Sequence, residues 1–296
     1  MKRIGFIGFG EVGFTFAKGI RDYAQGKCTV YAYDANQDND WQGKLIHGRA
    51  NEAGVTLVKN MSELIEMSDI ILGLIPASIS VKVASQLVDE LKGGQVYCDL
   101  SSASPSGKIE SNKIISKSNA TYIDGAIMGS MLSYGFNVPI FISGPSAANI
   151  VKDLANVGFN VKVVGENAGA ASTIKMLRAS FTKGIEALIF ETFYAASISN
   201  VEDIVLEILA DTFDKESFCE TVNRYLTSGA IHAKRRAEEV AGVIGLLESI
   251  GVEAYMAQGT YNRLSWVAEM GLKELYGGIT PKDYRDVLNK LKEKNE

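Results

Sequence analysis

Short apolar runs alternate with amphipathic stretches over the first 165 residues, and amphipathic stretches alone fill the remainder. The apolar runs at 4–7, 28–33, 70–75, 95–98, 121–123, 138–142 and 160–164 read as strands. Pro76 ends the third of them, a helix is expected over 81–91, and another follows Pro105. Strands separated by helices predict βαβ units and a mostly parallel, doubly wound sheet. From Asn167 to Thr280 there is no proline. Ile174, Leu177, Phe181, Ile185, Leu188 and Ile189 fall on one helical stripe, which predicts a helix of nearly thirty residues from Ala168. Further helices are expected at 201–211, 215–226, 231–249, 252–270 and 282–293. The division is therefore an α/β domain over 1–166 and an all-α domain over 167–296. The join near Gly165 is short, so a fixed cleft between the domains is expected to hold ligand.

The first apolar run leads directly into Gly8-x-Gly10-x-x-Gly13 and then a helical pattern. That order suits a dinucleotide phosphate. Gly8 permits the tight turn, Gly10 leaves room for the pyrophosphate, and Gly13 lets the helix lie close on the strand. With Phe9, Glu11 and Val12 between them, they bring the free N–H groups of a helix start, and its dipole, towards the anion. Asp34 closes the second strand, where an acid holds the adenosine ribose hydroxyls. A purely local reading makes Asp34 a turn starter before Asn36 and Asp38. Both halves of the fingerprint in register predict a Rossmann site. Asp34 repels a 2′-phosphate, and the only base between Ala35 and His47 is Lys44, so NAD is favoured, with NADP the alternative.

Composition narrows the function class. A chain of 296 residues that is 46% hydrophobic and 22% charged has the make-up of an ordinary soluble protein with two domains. A net charge of −5 excludes nothing enzymatic but offers no footprint for nucleic acid. Cys28, Cys98 and Cys219 are scattered, as in reduced cytoplasmic proteins. His47 and His232 make no metal spacing, so no metal is expected. No leader peptide and no membrane-length apolar run is read, so a cytoplasmic location is expected.

Ligands of such sheets sit at the carboxyl ends of the strands. Three loops are expected there: 74–77, 99–105 and 124–130. Leu74, Ile75 and Pro76 are expected to line the cofactor. Ser101, Ser102 and Ser104 precede Pro105, and one of them is needed as a helix cap. The others offer hydroxyls, Ser101 to the nicotinamide ribose and Ser102 to a substrate carboxylate.

Gly8-Phe-Gly-Glu-Val-Gly13, Leu74-Ile-Pro76, Asp99-Leu-Ser-Ser-Ala-Ser-Pro105 and Gly169-Ala-Ala-Ser-Thr-Ile-Lys175 occur in that order. Together they resemble the β-hydroxyacid dehydrogenase family, which includes 3-hydroxyisobutyrate and 6-phosphogluconate dehydrogenases. Asp124-Gly-Ala-Ile-Met128 and His232-Ala-Lys-Arg-Arg-Ala-Glu-Glu-Val240 resemble its 6-phosphogluconate dehydrogenase-like NAD-binding branch with a distinctive helical C-terminal domain. The resemblance implies hydride transfer between a 3-hydroxy acid and C4 of the nicotinamide, with or without decarboxylation. It implies a homodimer, and a catalytic lysine matching Lys175. A lysine removes a hydroxyl proton if burial or a nearby cation lowers its pKa.

The chain departs from the family pattern in the third loop, where Ala126, Met128 and Ser130 replace a proline, a serine and a glycine. Met128 and Gly129 then make an apolar substrate wall. After the lysine, Arg178 and Ala179 stand where asparagines are usual. Arg178 is read either as a partner of the substrate carboxylate, as a cation that depresses Lys175, or as a packing residue. His232 and Arg235 are read as holding the far end of an anionic substrate, against a reading as a solvated face with Glu238 and Glu239. The expectation is an NAD(P)-dependent oxidoreductase acting on a small anionic 3-hydroxy acid. Its rivals are an imine reductase-like enzyme and a non-catalytic NAD(H)-sensing module.

Overall fold

The computed structural model describes residues 2–26 and 28–295. The chain divides into two compact units, Met1–Ser180 and Phe181–Glu296. The first contains eight strands, β1 (Lys2–Ile7), β2 (Cys28–Tyr33), β3 (Thr56–Leu57), β4 (Ile70–Gly73), β5 (Val96–Asp99), β6 (Thr121–Ile127), β7 (Ile140–Ser143) and β8 (Val161–Gly165). Between them lie α1 (Glu11–Ala24), α2 (Asp40–Ala53), α3 (Met61–Met67), α4 (Ser80–Leu87), α5 (Pro105–Ile115), α6 (Met131–Tyr134) and α7 (Ala147–Asn156). The long α8 (Ala170–Ile198) crosses the division, and α9 (Glu202–Phe213), α10 (Phe218–Ser249), α11 (Tyr255–Glu269), α12 (Leu272–Leu275) and α13 (Tyr284–Asn295) complete the second unit.

The strands form one sheet in the order β3-β2-β1-β4-β5-β6-β7-β8, a Rossmann-like arrangement. Every pairing is parallel except β6 with β7. Side-chain alternation divides the core between the two faces. Ile70, Leu72, Val96 and Cys98 pack with Phe16 and Ile20 of α1. Ile71 and Tyr97 pack with Leu64, Val83 and Ile115 on the other side. A sheet covered on both faces explains why the strands read as continuous apolar runs.

Three expectations are corrected. β6 runs on to Ile127, because its second half pairs antiparallel with β7 from Asp124 against Ser143 to Ile127 against Ile140. Residues 124–127 are thus strand, and only 128–130 remain of the third expected loop. The last expected helices but two, 215–226 and 231–249, are one helix, α10, of 32 residues. The residues between the two expected stretches stay helical: the Thr227 hydroxyl donates to Asn223 O at 2.8 Å within the helix, and Arg236 Nη2 donates to Ser228 Oγ at 2.8 Å. Third, 81–91 stops as helix at Leu87.

Candidate functional site

Strand register sets the site. Ile7 pairs with both Tyr33 and Gly73, Gly73 pairs with Asp99, and Asp99 pairs with Asp124. The carboxyl ends of β1, β2, β4 and β5 therefore finish level. The glycine turn, Asp34, Leu74 and the 100–104 loop all leave from one edge.

The three glycines behave differently, as a phosphate turn requires. Gly8 has φ +90°, and a methyl group there would lie 2.4 Å from Leu74 O. At Gly13 it would press on Gly8 O and the Phe9 ring at 3.1 Å. At Gly10 it would meet no protein atom within 4 Å, so the space above this residue is open. No side chain caps the start of α1, whose first residues are Glu11 and Val12. Its N–H groups are left for an anion. Asp34 makes the local turn and also reaches the glycine turn. Its Oδ1 accepts from Asn36 N at 2.9 Å, which shapes the turn, and its Oδ2 accepts from Phe9 N at 2.7 Å, which ties it to the glycine turn. Leu74 N donates to Ile7 O at 2.8 Å and carries Ile75 and Pro76 outward at the same edge.

Ser104 is the cap of α5, accepting from Gly107 N at 3.2 Å. Ser101 is buried, and its N–H donates to Asp99 Oδ1 at 2.9 Å. Ser102 is exposed and receives Lys175 Nζ at 2.9 Å. Residues 73 positions apart are thus joined across the strand-end edge. Burial lowers the Lys175 pKa from its ordinary value, and repulsion from Lys108 lowers it further, while Asp124 opposes the shift.

Lys108, Asp99 and Asp124 escaped the sequence reading. All three are fully buried. Lys108 Nζ donates to Asp99 O at 2.5 Å and to Gly125 O at 3.3 Å, and lies 3.1 Å from Asp99 Oδ1 and 3.7 Å from Asp124 Oδ1. Burial alone would raise the Asp99 pKa, but Lys108 and the bonds from Ser80 and Ser101 outweigh it and hold the carboxyl below its ordinary range. Asp124 Oδ2 accepts from Gly169 N at 3.0 Å, Ser172 N at 3.1 Å, Ser172 Oγ at 3.2 Å and Ser143 Oγ at 3.1 Å. It thereby fastens the first turn of α8. A signal existed: Asp99 and Asp124 each directly follow an apolar strand run, and a charge buried at such a position requires a partner.

Met128 and Gly129 follow β6, with Met128 N donating to Pro139 O at 2.8 Å. A methyl at Gly129 would collide with the Tyr134 ring at 2.8 Å, so this stretch is close-packed. Arg178 lies one turn beyond Lys175 on α8 and is exposed. His232 and Arg235 belong to the helical unit. They line an open pocket of about 480 Å³ with Lys234, Glu238, Lys273 and Glu274, and Arg235 is ion-paired with Glu239. Among the described residues no helix is long and apolar enough to cross a membrane, and no group of metal-ligating side chains occurs.

Residues 3–148 match the family described as the NAD binding domain of 6-phosphogluconate dehydrogenase, and residues 196–270 match a domain of unknown function, DUF1932. An uncharacterized 28.5 kDa protein of Methanothermus fervidus is 30% identical over 267 residues, which span 90% of this chain and 99% of that protein. A solved conserved protein of unknown function, described as similar to 3-hydroxyacid dehydrogenases, is 30% identical, with a TM-score of 0.62 over 90% of this chain and 97% of its own. An imine reductase from Myxococcus stipitatus, solved with NAD+, shares the fold at a TM-score of 0.75 and 19% identity, over 98% of this chain and 99% of its own.

Proposed function

Because this chain belongs to the 6-phosphogluconate dehydrogenase-like branch of the β-hydroxyacid dehydrogenase family, we propose that it oxidises a small anionic 3-hydroxy acid, or reduces the matching keto acid. Its N-terminal unit is an NAD-binding domain. Residues 8–13 suit the pyrophosphate, Asp34 the adenosine ribose, and Leu74, Ile75, Pro76 and Ser101 the remainder. NAD bound there supplies the hydride acceptor. NAD is preferred to NADP, because the Asp34 carboxylate is fixed at the turn by Phe9 N and repels a 2′-phosphate.

The Lys175–Ser102 contact carries this reading. It sets an amine of lowered proton affinity beside a hydroxyl at the edge where ligands of such sheets bind. In oxidation the neutral Lys175 amine takes the substrate hydroxyl proton as hydride leaves its carbon. In reduction the Lys175 ammonium returns that proton to the carbonyl oxygen. Ser102 orients the amine and donates to the substrate carboxylate, with Met128, Gly129 and Arg178 as the remaining substrate wall. Loss of CO₂ from a β-keto acid uses the same ammonium at the ketone oxygen.

The proposal includes a homodimer. Leu206, Ile208, Val243 and Leu246 of the helical unit are 56%, 61%, 45% and 59% exposed. Such a concentration of uncovered apolar side chains fits a subunit contact.

The deciding experiment is a panel of 3-hydroxy and 2-hydroxy acids with NAD at alkaline pH, run on the wild type and Lys175→Ala. Turnover of at least one acid, lost in the variant, is expected. Cofactor binding with silence across the panel rejects the proposal. Reduction of cyclic imines by NADH or NADPH then selects the imine reductase reading, and no turnover on either panel selects the sensor.

A further inference from the structure

We propose that Lys108 is a positioning residue for Lys175, acting through the two buried carboxylates that hold the 100–104 loop and the first turn of α8. The inference rests on the reading of Lys175 as the proton-handling group. Lys108 is wholly enclosed on α5 and touches Asp99, Gly125 and Asp124, so it has no path to a ligand of its own. Its two carboxylates have separate tasks. Asp99 accepts from Ser101 N and from the Ser80 hydroxyl at 2.6 Å, which shapes the loop that presents Ser102. Asp124 accepts from Gly169 and Ser172, which sets the start and rotation of the helix that presents Lys175. One ammonium thus ties together the supports of both members of the Ser102–Lys175 contact.

The arrangement does more than neutralise charge. Asp124 Oδ2 collects four hydrogen bonds, whereas Oδ1 makes none and faces Lys108. Lys175 feels both groups: Asp124 holds its proton and Lys108 repels it. The other charged or titratable neighbours are Asp99 and Cys98 on β5, the Tyr122 hydroxyl of β6 that donates to Asp99 at 3.2 Å, and Arg178 on α8 itself. Without Lys108, burial alone is left to oppose the attraction of Asp124 for the Lys175 proton.

Competitive acetylation of amines with acetic anhydride across a pH series, read at Lys175 by peptide mass spectrometry, tests this on the full chain without any substrate. Lys108→Met is expected to move the labelling midpoint to higher pH and to slow Lys175 labelling at least about threefold at a fixed pH below it. Lys108→Arg, which keeps the charge, is expected to restore the wild-type midpoint. Should Lys108→Met not fold, K108M/D99N removes one buried charge of each sign and is expected to show the same rise. Asp124→Asn removes the attraction and is expected to move the midpoint down. A midpoint that stays put in these variants while only thermal stability falls overturns the proposal. Loss of turnover in Lys175→Ala tests the proposed chemistry separately, so a failure of that chemistry is distinguishable from a failure of the Lys108 role.

Discussion

Ile4, Phe6, Phe16, Ile20 and Leu72 of the sheet unit have 1% exposure or less, whereas Leu206, Ile208, Leu246 and Phe190 of the helical unit have more than half of their surface uncovered. The first unit closes two continuous cores around its sheet. The second holds small clusters around Leu247 and Leu272, and α9 buries no residue at all. An open apolar pocket of about 350 Å³ lies among Leu188, Ala195, Val201, Val243 and Leu246. At roughly 1.5–3 kcal/mol for each large apolar side chain removed from water, the sheet unit gains more from its own burial than the helical unit does. The apolar side chains left uncovered on the helical unit are those that the proposed homodimer would use.

The largest effect is expected where the chemistry is assigned to the sheet unit. Lys175→Ala should lower kcat by about 10²–10⁴-fold while NADH fluorescence titration shows unchanged binding; unaltered turnover would remove the chemistry from this edge. Next, Leu72→Ala should cost about 2–5 kcal/mol in urea unfolding, whereas Leu206→Ala should stay within about 0.5 kcal/mol in a monomer. Equal losses would erase the contrast. Leu246→Asp should raise the dimer dissociation constant at least about 30-fold, equivalent to about 2 kcal/mol, by analytical ultracentrifugation, with cofactor affinity retained. Asp34→Asn should weaken NADH about tenfold, roughly 1.4 kcal/mol, and narrow the preference over NADPH. The smallest and most diagnostic effect is on pH. If Lys175 takes the proton in oxidation, as proposed, its neutral amine is the active form, and the folded Lys175 pKa lies below its ordinary value of 10.5. The oxidation rate should therefore rise with pH and level off before the ordinary lysine range. In that interval the unfolded chain binds more protons than the folded one, so the Lys175 contribution to stability rises with pH.

Local pattern revealed the parts of this protein that depend on neighbours in sequence. The glycine turn was legible because its strand, turn and helix follow one another directly, and Asp34 because it closes the next strand. The α8 helix was legible from its spacing and length. What escaped was set by pairing at a distance. Residues 124–127 read as loop because antiparallel pairing with β7 leaves no local mark. The α10 helix read as two, although Thr227 and Ser228 satisfy their hydroxyls within one continuous helix. Which of Ser101, Ser102 and Ser104 caps the helix was open, and only the packed structure distributes them among a buried loop contact, Lys175 and the cap.

By itself, then, the amino-acid sequence determined the α/β alternation before the all-helical half, the dinucleotide turn and the chemical types offered at the strand ends, since each follows from side-chain periodicity and the conformational freedom of glycine. Tertiary structure alone decided that Lys175 meets Ser102 and that Asp99, Lys108 and Asp124 share one buried space. It also decided which apolar faces of the helical unit stay uncovered. Those outcomes depend on desolvation and on contacts between residues tens of positions apart, whose energies no local pattern records.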